Sequence, residues 1–345
     1  RQMCIRDRIW GAGAIGGTIG AYAARAGREA VLVDVVADHV DAMNRDGLRI
    51  TGPVETFSAE VTAVTPDRLE GRWDAVLLCT KALHTEDAIA AIAPHLADDG
   101  FVVSVQNGLN EFAIAAHVGE ERTVGAFVNF GADYLEPGVI HFGGRGAVVV
   151  GELDGRSSER LAWLLELMRT FEPNAVATDN IWGYLWGKMG YGAMLFAGAL
   201  CDESIADVLD SREARPILDR LAAEVLAVAA AEGVRPLGFN GFEPAAFGPS
   251  GDPAARAASY DAMVAHNRGS AKTHSGVWRD LAVRKRKTEV DAQFSPILAR
   301  AEAHGVAVPA TRRLVDTMHE VEAGRRPQAW ATLMRLGEAE EAAPA

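Results

Sequence analysis

A glycine-rich run near the start of the chain constrains its fold more than any other feature. The run Gly11-Ala12-Gly13-Ala14-Ile15-Gly16 opens a helical pattern over 18–26, and a short apolar run over 30–33 then ends at Asp34. A G-x-G-x-x-G run alone is weak support for a function, because glycine turns are common. Here a helix, a buried strand and an acidic residue 18 positions after Gly16 follow it. That succession is typical of a Rossmann-type dinucleotide-binding unit.

Each position in the run has a physical task in such a unit. Gly11 permits the tight turn, Gly13 lets the backbone approach a pyrophosphate, and Gly16 lets the helix pack closely on the strand. The pyrophosphate then lies at the positive end of the helix. The sequence therefore predicts these cofactor-binding residues: Gly11, Gly13, Ala14, Ile15, Gly16 and Asp34. The alternative is a glycine turn with a purely structural role.

Asp34 also bears on the identity of the dinucleotide. Its carboxylate can accept hydrogen bonds from the adenosine ribose hydroxyls, and it would repel a 2′-phosphate. The next residues are Val35 and Val36 rather than an arginine, although Arg45 and Lys81 could hold a phosphate from elsewhere. Local chemistry therefore favours NAD(H) over NADP(H).

The pattern of the chain changes once, near residue 180. Before that point strand patterns, at 30–33, 74–79, 101–105, 122–130 and 147–150, alternate with helical ones, at 18–26, 38–46 and 85–96. Such alternation indicates a parallel sheet. Beyond it we find helical patterns and a loop rich in glycine and proline over 237–253. We therefore predict an α/β Rossmann-type dinucleotide-binding domain over 1–178, then an all-α C-terminal domain over 179–335, and a frayed tail over 336–345.

The first eight residues do not fit this pattern. A buried parallel strand should lead into the glycine run, but Arg6-Asp7-Arg8 occupies most of that position. We interpret the octapeptide 1–8 as non-native, because it resembles translated sequencing adaptor, and Cys4 then carries no meaning. The alternative is an unusual native strand.

Composition narrows the classes of partner. The 345 residues include 34 Lys and Arg and 47 Asp and Glu, and the formal net charge of −13 disfavours nucleic acid and anionic membranes. The longest apolar-rich uncharged stretch, 189–201, is too short to span a membrane.

Three cysteines without C-x-x-C spacing, and no H-E-x-x-H, predict a cytoplasmic protein without a metal site. The basic run 284–287 is expected to be a solvated turn.

Motifs spread along the chain resemble the ketopantoate reductase (2-dehydropantoate 2-reductase) family. Besides the glycine run, five segments match in order: Thr80-Lys81-Ala82 followed by Thr85, Gln106-Asn107-Gly108-Leu109, Trp186-Gly187-Lys188, His274-Ser275 with Asp280, and Thr288-Glu289-Val290-Asp291. Each motif is modest by itself. Their order, over the whole chain apart from 1–8 and the loop 237–253, makes the resemblance specific.

The resemblance implies that a 2-keto acid is reduced by NAD(P)H, and that the helical domain over 179–335 serves substrate binding and dimerisation. The cofactor preference of the family favours NADPH. Lys188 occupies the position of the family's general acid, which meets the growing charge on the ketone oxygen and protonates it. Asn107 matches the asparagine that orients this lysine, and we also count it among the cofactor-binding residues. Glu289 matches the glutamate that holds the substrate. Lys81 matches a lysine near the cofactor.

The substrate positions depart from the family. Ser275 is the nearest hydroxyl to the family's carboxylate-binding serine, although Gly276 could occupy that position instead. The family's asparagines one and two turns after the lysine are replaced here by Gly192 and Phe196, and Gln293-Phe294-Ser295 replaces an asparagine-glycine pair. These replacements remove polar contacts from the pocket and add bulk, which argues against ketopantoate as the preferred substrate. We expect ketopantoate to be reduced poorly, or alongside branched or aromatic 2-keto acids.

Other functions stay open at this point. One is a related two-domain dehydrogenase that oxidises a hydroxy acid or an opine with the same lysine. Another, of a different class, is a non-catalytic dinucleotide-sensing protein. The expected partner is a small-molecule 2-keto acid, and a homodimer is left open.

Overall fold

The structure is a computed structural model, and it describes residues 7–270 and 272–338. The chain divides into two compact units, Arg1–Ile181 and Trp182–Ala345. Residues 1–6 of the predicted non-native octapeptide, Cys4 among them, lie outside the described residues, as do 339–345 of the predicted tail.

The first unit is built on an eight-stranded sheet with the order β12-β11-β8-β7-β6-β1-β2-β5. The strands of this unit are β1 (Asp7–Trp10), β2 (Ala30–Val33), β3 (Leu48–Thr51), β4 (Phe57–Ala59), β5 (Thr62–Val64), β6 (Trp73–Leu78), β7 (Leu96–Ser104), β8 (Thr123–Val128), β9 (Gly131–Glu136), β10 (Val139–Gly144), β11 (Val148–Glu152) and β12 (Val176–Ala177). Its α-helices are α1 (Ala14–Arg25), α2 (Ala37–Asp46), α3 (Thr85–Ile92), α4 (Glu111–Val118) and α5 (Glu159–Arg169). From β5 to β8 neighbouring strands are parallel, and their order is that of a Rossmann sheet.

The sheet is covered on both faces, as its apolar strands require. Alternate residues of each strand contribute to different cores: Ile9 and Leu77 pack with α1 and α5, whereas Trp10 and Leu78 pack with α3 and α4. The two helical layers therefore bury both faces of β1 and β6. The prediction of an α/β Rossmann-type unit is confirmed.

A second sheet, with the order β4-β3-β10-β9, was not predicted. The stretch 48–64 divides between the two sheets. β5 is the edge strand, but β3 pairs with β4 and with β10, which lies far along the chain. This sheet adds Ile50 and Phe142 to the core beside α1.

Asp7 and Arg8 belong to β1, so the structure places charged residues in the strand. Asp7 pairs with Ala30 and Ala75 and is 4% exposed, and its Oδ1 has no hydrogen-bond partner among the described residues. Burial, opposed by the charges of Arg28 and Arg8, raises the pKa of Asp7 to about 7. The non-native origin of 1–8 stays a prediction.

The second unit is helical, which confirms the prediction of an all-α C-terminal part. Its helices are α6 (Ile181–Gly198), α7 (Ile205–Asp210), α8 (Arg215–Ala231), α9 (Pro253–Arg268), α10 (Gly276–Ala282), α11 (Val290–Ala303), α12 (Pro309–Glu322) and α13 (Trp330–Met334). α8 contacts α11 and α12, and α7 contacts α9. No helix within the described ranges is long and apolar enough to cross a membrane.

The loop over 237–253 is irregular, as predicted, but it is packed rather than loose. A row of ring contacts runs through it from Tyr191 of α6 to Phe242, Phe247 and Tyr260 of α9, with centroid separations of 5.7, 5.0 and 5.6 Å. Phe242 and Phe247 are almost fully buried. Aromatic residues between the glycines and prolines therefore fix the loop against the second unit.

Candidate active site

The carboxyl ends of four neighbouring strands of the first unit stop at the same level. Trp10, the last residue of β1, is in register with Val33 of β2 and Leu78 of β6, and Leu78 is in register with Ser104 of β7. The residues that follow these strands are therefore brought to one edge of the sheet. They include Gly11, Asp34, Thr80 and Lys81, and Gln106 and Asn107. In an open α/β sheet this edge, at the strand where the order reverses, is where ligands bind.

Two of the predicted glycines have no room for a side chain. Gly11 has φ +95°, and a Cβ there would lie 2.8 Å from the Thr80 nitrogen. A Cβ on Gly16 would lie 2.1 Å from the Gly11 oxygen and 2.9 Å from Cys79 Cβ. Gly11 thus makes the turn and Gly16 lets α1 approach β1 and the end of β6. Burial raises the pKa of the Cys79 thiol, so it stays neutral under the loop.

Gly13 differs, because a Cβ there would meet nothing within 4 Å. It is the residue that precedes α1, and no side chain caps the helix there. Ala14 and Ile15 form the first turn and are half-buried. Backbone donors at the start of a helix attract phosphate. The open space at Gly13 beside an uncapped helix end therefore fits a dinucleotide pyrophosphate.

Asp34 lies directly after β2 and is half-buried. Its Oδ1 accepts a hydrogen bond from the Val36 nitrogen at 3.0 Å, which orients the carboxylate. Burial, together with the negative charges of Asp34 and Asp38, raises the pKa of Tyr134 on β9. The carboxylate is therefore a fixed negative charge at the place where sequence reasoning put an adenosine ribose.

A buried network of side chains, which sequence reasoning missed, joins the segments that follow β6 and β7. Gln106 Nε2 donates to Thr80 O at 3.0 Å and to Thr85 Oγ1 at 2.9 Å. Thr85 Oγ1 lies 3.0 Å from Asn110 Oδ1, and Asn110 Nδ2 donates to Asn107 O at 2.7 Å. This network fixes the backbone on either side of two predicted site residues. The motif spacing around Thr85 and Gln106 was the only signal of it in the sequence.

Lys81 and Asn107 are held by that network through their neighbours. Lys81 is half-buried and follows Thr80, and Asn107 is exposed at the turn where Gly108 has φ +103°. Both therefore lie at the edge of the sheet where the glycine loop lies.

In the second unit, one face of α6 carries three of the predicted residues. Lys188, Gly192 and Phe196 follow one another at intervals of four residues, so they lie along one side of the helix. Lys188 and Gly192 are half-buried, and a Cβ on Gly192 would meet nothing within 4 Å. Phe196 is 3% exposed and contacts Phe294 of α11 edge-on, with ring centroids 5.0 Å apart. The face thus has a lysine, an open position and a buried aromatic pair.

The glycine before the catalytic candidate has its own structural role. A Cβ on Gly187 would lie 2.0 Å from the Leu237 oxygen, and the Leu237 nitrogen donates to Gly183 O at 2.8 Å. The start of the loop over 237–253 is therefore bonded to α6 one turn before Lys188. This contact fixes the stretch of helix that carries the lysine.

Ser275 and Glu289 both lie at the starts of helices. Ser275 is buried and its Oγ accepts from the Trp278 nitrogen at 3.1 Å, so it caps α10. The hydroxyl retains its proton for a second partner. It also lines a small cavity with Leu195 of α6. Glu289 immediately precedes α11, the helix whose Phe294 contacts Phe196, and is half-buried. Within the second unit, the contact between Phe196 and Phe294 thus connects α6, which carries Lys188, to α11, which follows Glu289.

No group of three or more His, Cys, Asp and Glu side chains within 7–270 and 272–338 could hold a metal ion. In the basic run 284–287, which was expected to be a solvated turn, Arg284 and Arg286 both bond Asp280 Oδ1, at 3.0 and 2.8 Å. Two of its four positive charges therefore lie against a buried carboxylate.

Comparison with known proteins finds a family match for each part of the fold. The family model described as "Ketopantoate reductase PanE/ApbA" matches residues 8–155, and the model described as "Ketopantoate reductase PanE/ApbA C terminal" matches 180–322. A 2-dehydropantoate 2-reductase of Halobacterium salinarum is 27% identical over 315 residues, which cover 90% of this chain and 97% of the relative.

Solved structures show the same fold. A PanE/ApbA family ketopantoate reductase from Ralstonia eutropha JMP134 has a TM-score of 0.75 and 25% identity, covering 93% of this chain and 99% of that one. A D-mandelate dehydrogenase, solved with NADH and anilino(oxo)acetate, has a TM-score of 0.78 and 23% identity with the same coverage. The match of both family models, one to each part of the fold, shows that this chain belongs to the ketopantoate reductase family of NAD(P)-dependent oxidoreductases that act on CH–OH groups.

Proposed function

We propose that the protein reduces a 2-keto acid with NADH and that Lys188 is the general acid. The observation that carries the proposal is the place of Lys188 on α6. By the resemblance of its motif it matches the general-acid position of the family, and it lies on a helix face that also contains an open position and a buried aromatic pair. The glycine loop and Asp34 supply a matching site for the dinucleotide in the first unit.

The residues of the first unit would hold the dinucleotide. The start of α1 with Gly13, Ala14 and Ile15 would bind the pyrophosphate, and Asp34 would accept hydrogen bonds from the adenosine ribose. When bound, the dihydronicotinamide supplies the hydride that reduces the ketone. Lys81 and Asn107 lie at the same edge of the sheet and would contact the cofactor from the segments after β6 and β7.

Lys188 would act on the oxygen of the ketone. An ammonium group stabilises the negative charge that develops there, and it then donates a proton to give the hydroxyl. Asn107 would orient the lysine. Glu289 and Ser275 would hold the substrate, Glu289 through a hydroxyl or amine and Ser275 by donating its hydroxyl proton to the substrate carboxylate.

The helix face around Lys188 favours an apolar substrate side chain. Gly192 contributes no polar group, and one turn further on Phe196 packs against Phe294 and contributes none either. A hydroxyl on the substrate would therefore lose partners, whereas a branched or aromatic group needs none. The related fold that holds anilino(oxo)acetate, an aryl-bearing oxoacetate, supports this choice.

We expect the protein to prefer NADH to NADPH by about tenfold or more in kcat/KM, equivalent to about 1.4 kcal/mol. The fixed carboxylate of Asp34 would repel a 2′-phosphate and bond free ribose hydroxyls. Oxidation of each dinucleotide is followed at 340 nm with a panel of 2-keto acids. A tenfold preference for NADPH would show that basic residues override Asp34. The absence of any dinucleotide oxidation across the panel would favour a sensing protein and contradict the proposed function.

The matched control is Asp34→Asn, which keeps the oxygen that accepts from Val36 and removes the charge. We expect this variant to lose most of the preference, mainly through a lower KM for NADPH. An unchanged ratio would assign the selectivity to another residue.

A further expectation concerns Gly192→Asn. The open space at this position accommodates the amide, which can pair with a substrate hydroxyl. We expect kcat/KM for ketopantoate, relative to 3,3-dimethyl-2-oxobutanoate, to rise by about tenfold, the scale of one hydrogen bond. The two acids differ only in the hydroxyl, so their ratio isolates that contact.

Gly192→Ala controls for the gain in helix propensity and for lost space. It should leave the ratio of the two substrates unchanged. If the unmodified protein already reduces ketopantoate far better than the analogue without the hydroxyl, the apolar description of the pocket is wrong.

A further inference from the structure

His39 is a buried histidine whose two ring nitrogens are both hydrogen-bonded. It lies in the first turn of α2 and is 1% exposed. Nε2 is 2.9 Å from the carbonyl oxygen of Ala12, and the Gly138 nitrogen donates to Nδ1 at 2.9 Å. One side chain therefore contacts the glycine loop on one side and the turn between β9 and β10 on the other.

These two partners determine the protonation of the ring. A backbone N–H can only donate, so Nδ1 must accept from Gly138 and carries no proton. A carbonyl oxygen can only accept, so Nε2 must carry the proton and donate it to Ala12. His39 is thus a neutral imidazole with its proton on Nε2, and each nitrogen has a separate task.

The bond to Ala12 bears directly on the dinucleotide loop. The peptide unit between Ala12 and Gly13 is planar and trans, so its N–H points away from its C=O. A donor that holds the Ala12 oxygen on the side of α2 therefore directs the Gly13 N–H to the opposite side. Gly13 is the position with open space at the start of α1.

The bond to Gly138 has a different consequence. Gly138 has φ +77° in the β9–β10 turn, and its oxygen accepts from the Arg49 nitrogen of β3 at 2.8 Å. Tyr134 of β9 packs edge-on against the imidazole, with ring centroids 5.0 Å apart. This nitrogen therefore anchors the second sheet to α2 and does not touch the loop.

We propose that His39 is a positioning residue for dinucleotide binding, and that its Nε2 proton sets the orientation of the Ala12–Gly13 peptide that receives the pyrophosphate. The proposal rests on the proposed dinucleotide site. It separates the two nitrogens: Nε2 serves cofactor affinity, and Nδ1 serves only the stability of the fold.

The test uses two amide variants that each replace one nitrogen. His39→Gln places an amide N–H near the position of Nε2, and His39→Asn places an amide oxygen near the position of Nδ1. Dinucleotide binding is measured by NADH fluorescence, unfolding by thermal denaturation, and turnover at saturating NADH. Val40→Ala, a cavity in the same helix without a change in hydrogen bonding, is the control for lost stability.

We expect His39→Asn to raise the Kd for NADH by about tenfold, the scale of one hydrogen bond, and to leave kcat at saturating NADH unchanged. His39→Gln should bind NADH within about threefold of the unmodified protein. Both variants, and Val40→Ala, should have a lower Tm, and Val40→Ala should bind NADH normally.

Two results would overturn the inference. One is equal weakening of NADH binding in the asparagine and glutamine variants. The other is affinity that falls in step with Tm in all three variants, which would make His39 a structural residue only. If the unmodified protein binds neither NADH nor NADPH, the proposed dinucleotide site itself is wrong, and this inference is rejected with it.

Discussion

Replacing Lys188 with alanine is expected to lower kcat by about 10² to 10⁴, the range for loss of a general acid or an oxyanion donor. The Kd for NADH should stay within about threefold, because the lysine acts on the substrate oxygen and not on the dinucleotide. Steady-state rates with the best keto acid and a fluorescence titration with NADH measure the two quantities separately.

Two further substitutions separate the proton from the packing of the side chain. Lys188→Met keeps the apolar stem of the half-buried lysine and should be as slow as alanine. Lys188→Arg keeps the positive charge but does not release a proton at neutral pH, so it should recover only part of the rate. An alanine variant with full activity would place the general acid elsewhere, and Lys81 would be the next candidate.

The glycine loop gives the second large effect, because two of its glycines are required for different reasons. Gly16→Ala should lower the free energy of unfolding by about 3 kcal/mol, since the new methyl group would lie 2.1 Å from the Gly11 oxygen. Gly13→Ala should change it by about 1 kcal/mol or less, because nothing in the protein lies within 4 Å of that methyl group. Urea denaturation measures both.

For NADH binding we expect the opposite order: among variants that remain folded, Gly13→Ala should have the larger effect. The methyl group of Gly13→Ala would occupy the space that the pyrophosphate needs, so the Kd is expected to rise by about tenfold or more with the fold intact. If Gly13→Ala binds NADH normally, the pyrophosphate lies elsewhere. If Gly16→Ala is as stable as the unmodified protein, α1 does not need its close approach to β1.

The sequence predicted those parts of the fold whose signals are local. The glycine run, the apolar strands and Asp34 lie within one stretch of chain. The residue pattern of each element also indicates which of its side chains are buried. The pairing of β3 with β10 gave no such signal, because the two strands lie far apart in the chain and neither strand's own residues show which partner it takes. α7 and α10 are short helices that begin at the capping serines Ser204 and Ser275, and so short a helix has no clear period.

The candidate site likewise contains residues that could be predicted from the sequence and contacts that could not. Motif residues such as Lys188 and Asn107 were identified by resemblance, which depends on order along the chain. The bonds from Gln106 to Thr80 and Thr85 depend on the register between β6 and β7, and the bonds of His39 depend on where the β9–β10 turn packs. Neither follows from spacing. Such contacts appear only once the strands are paired.

The place of β1 in the sheet has a consequence for how the protein is made. β1 needs β6 as a neighbour, and the Cys79 nitrogen bonds Trp10 O at 2.7 Å, yet the ribosome delivers β6 long after β1. Until then one edge of β1 is an open template on which another nascent chain could pair. Pairing with β6 closes that edge. The interval between the synthesis of the two strands is therefore the time during which β1 can pair with a strand of another chain.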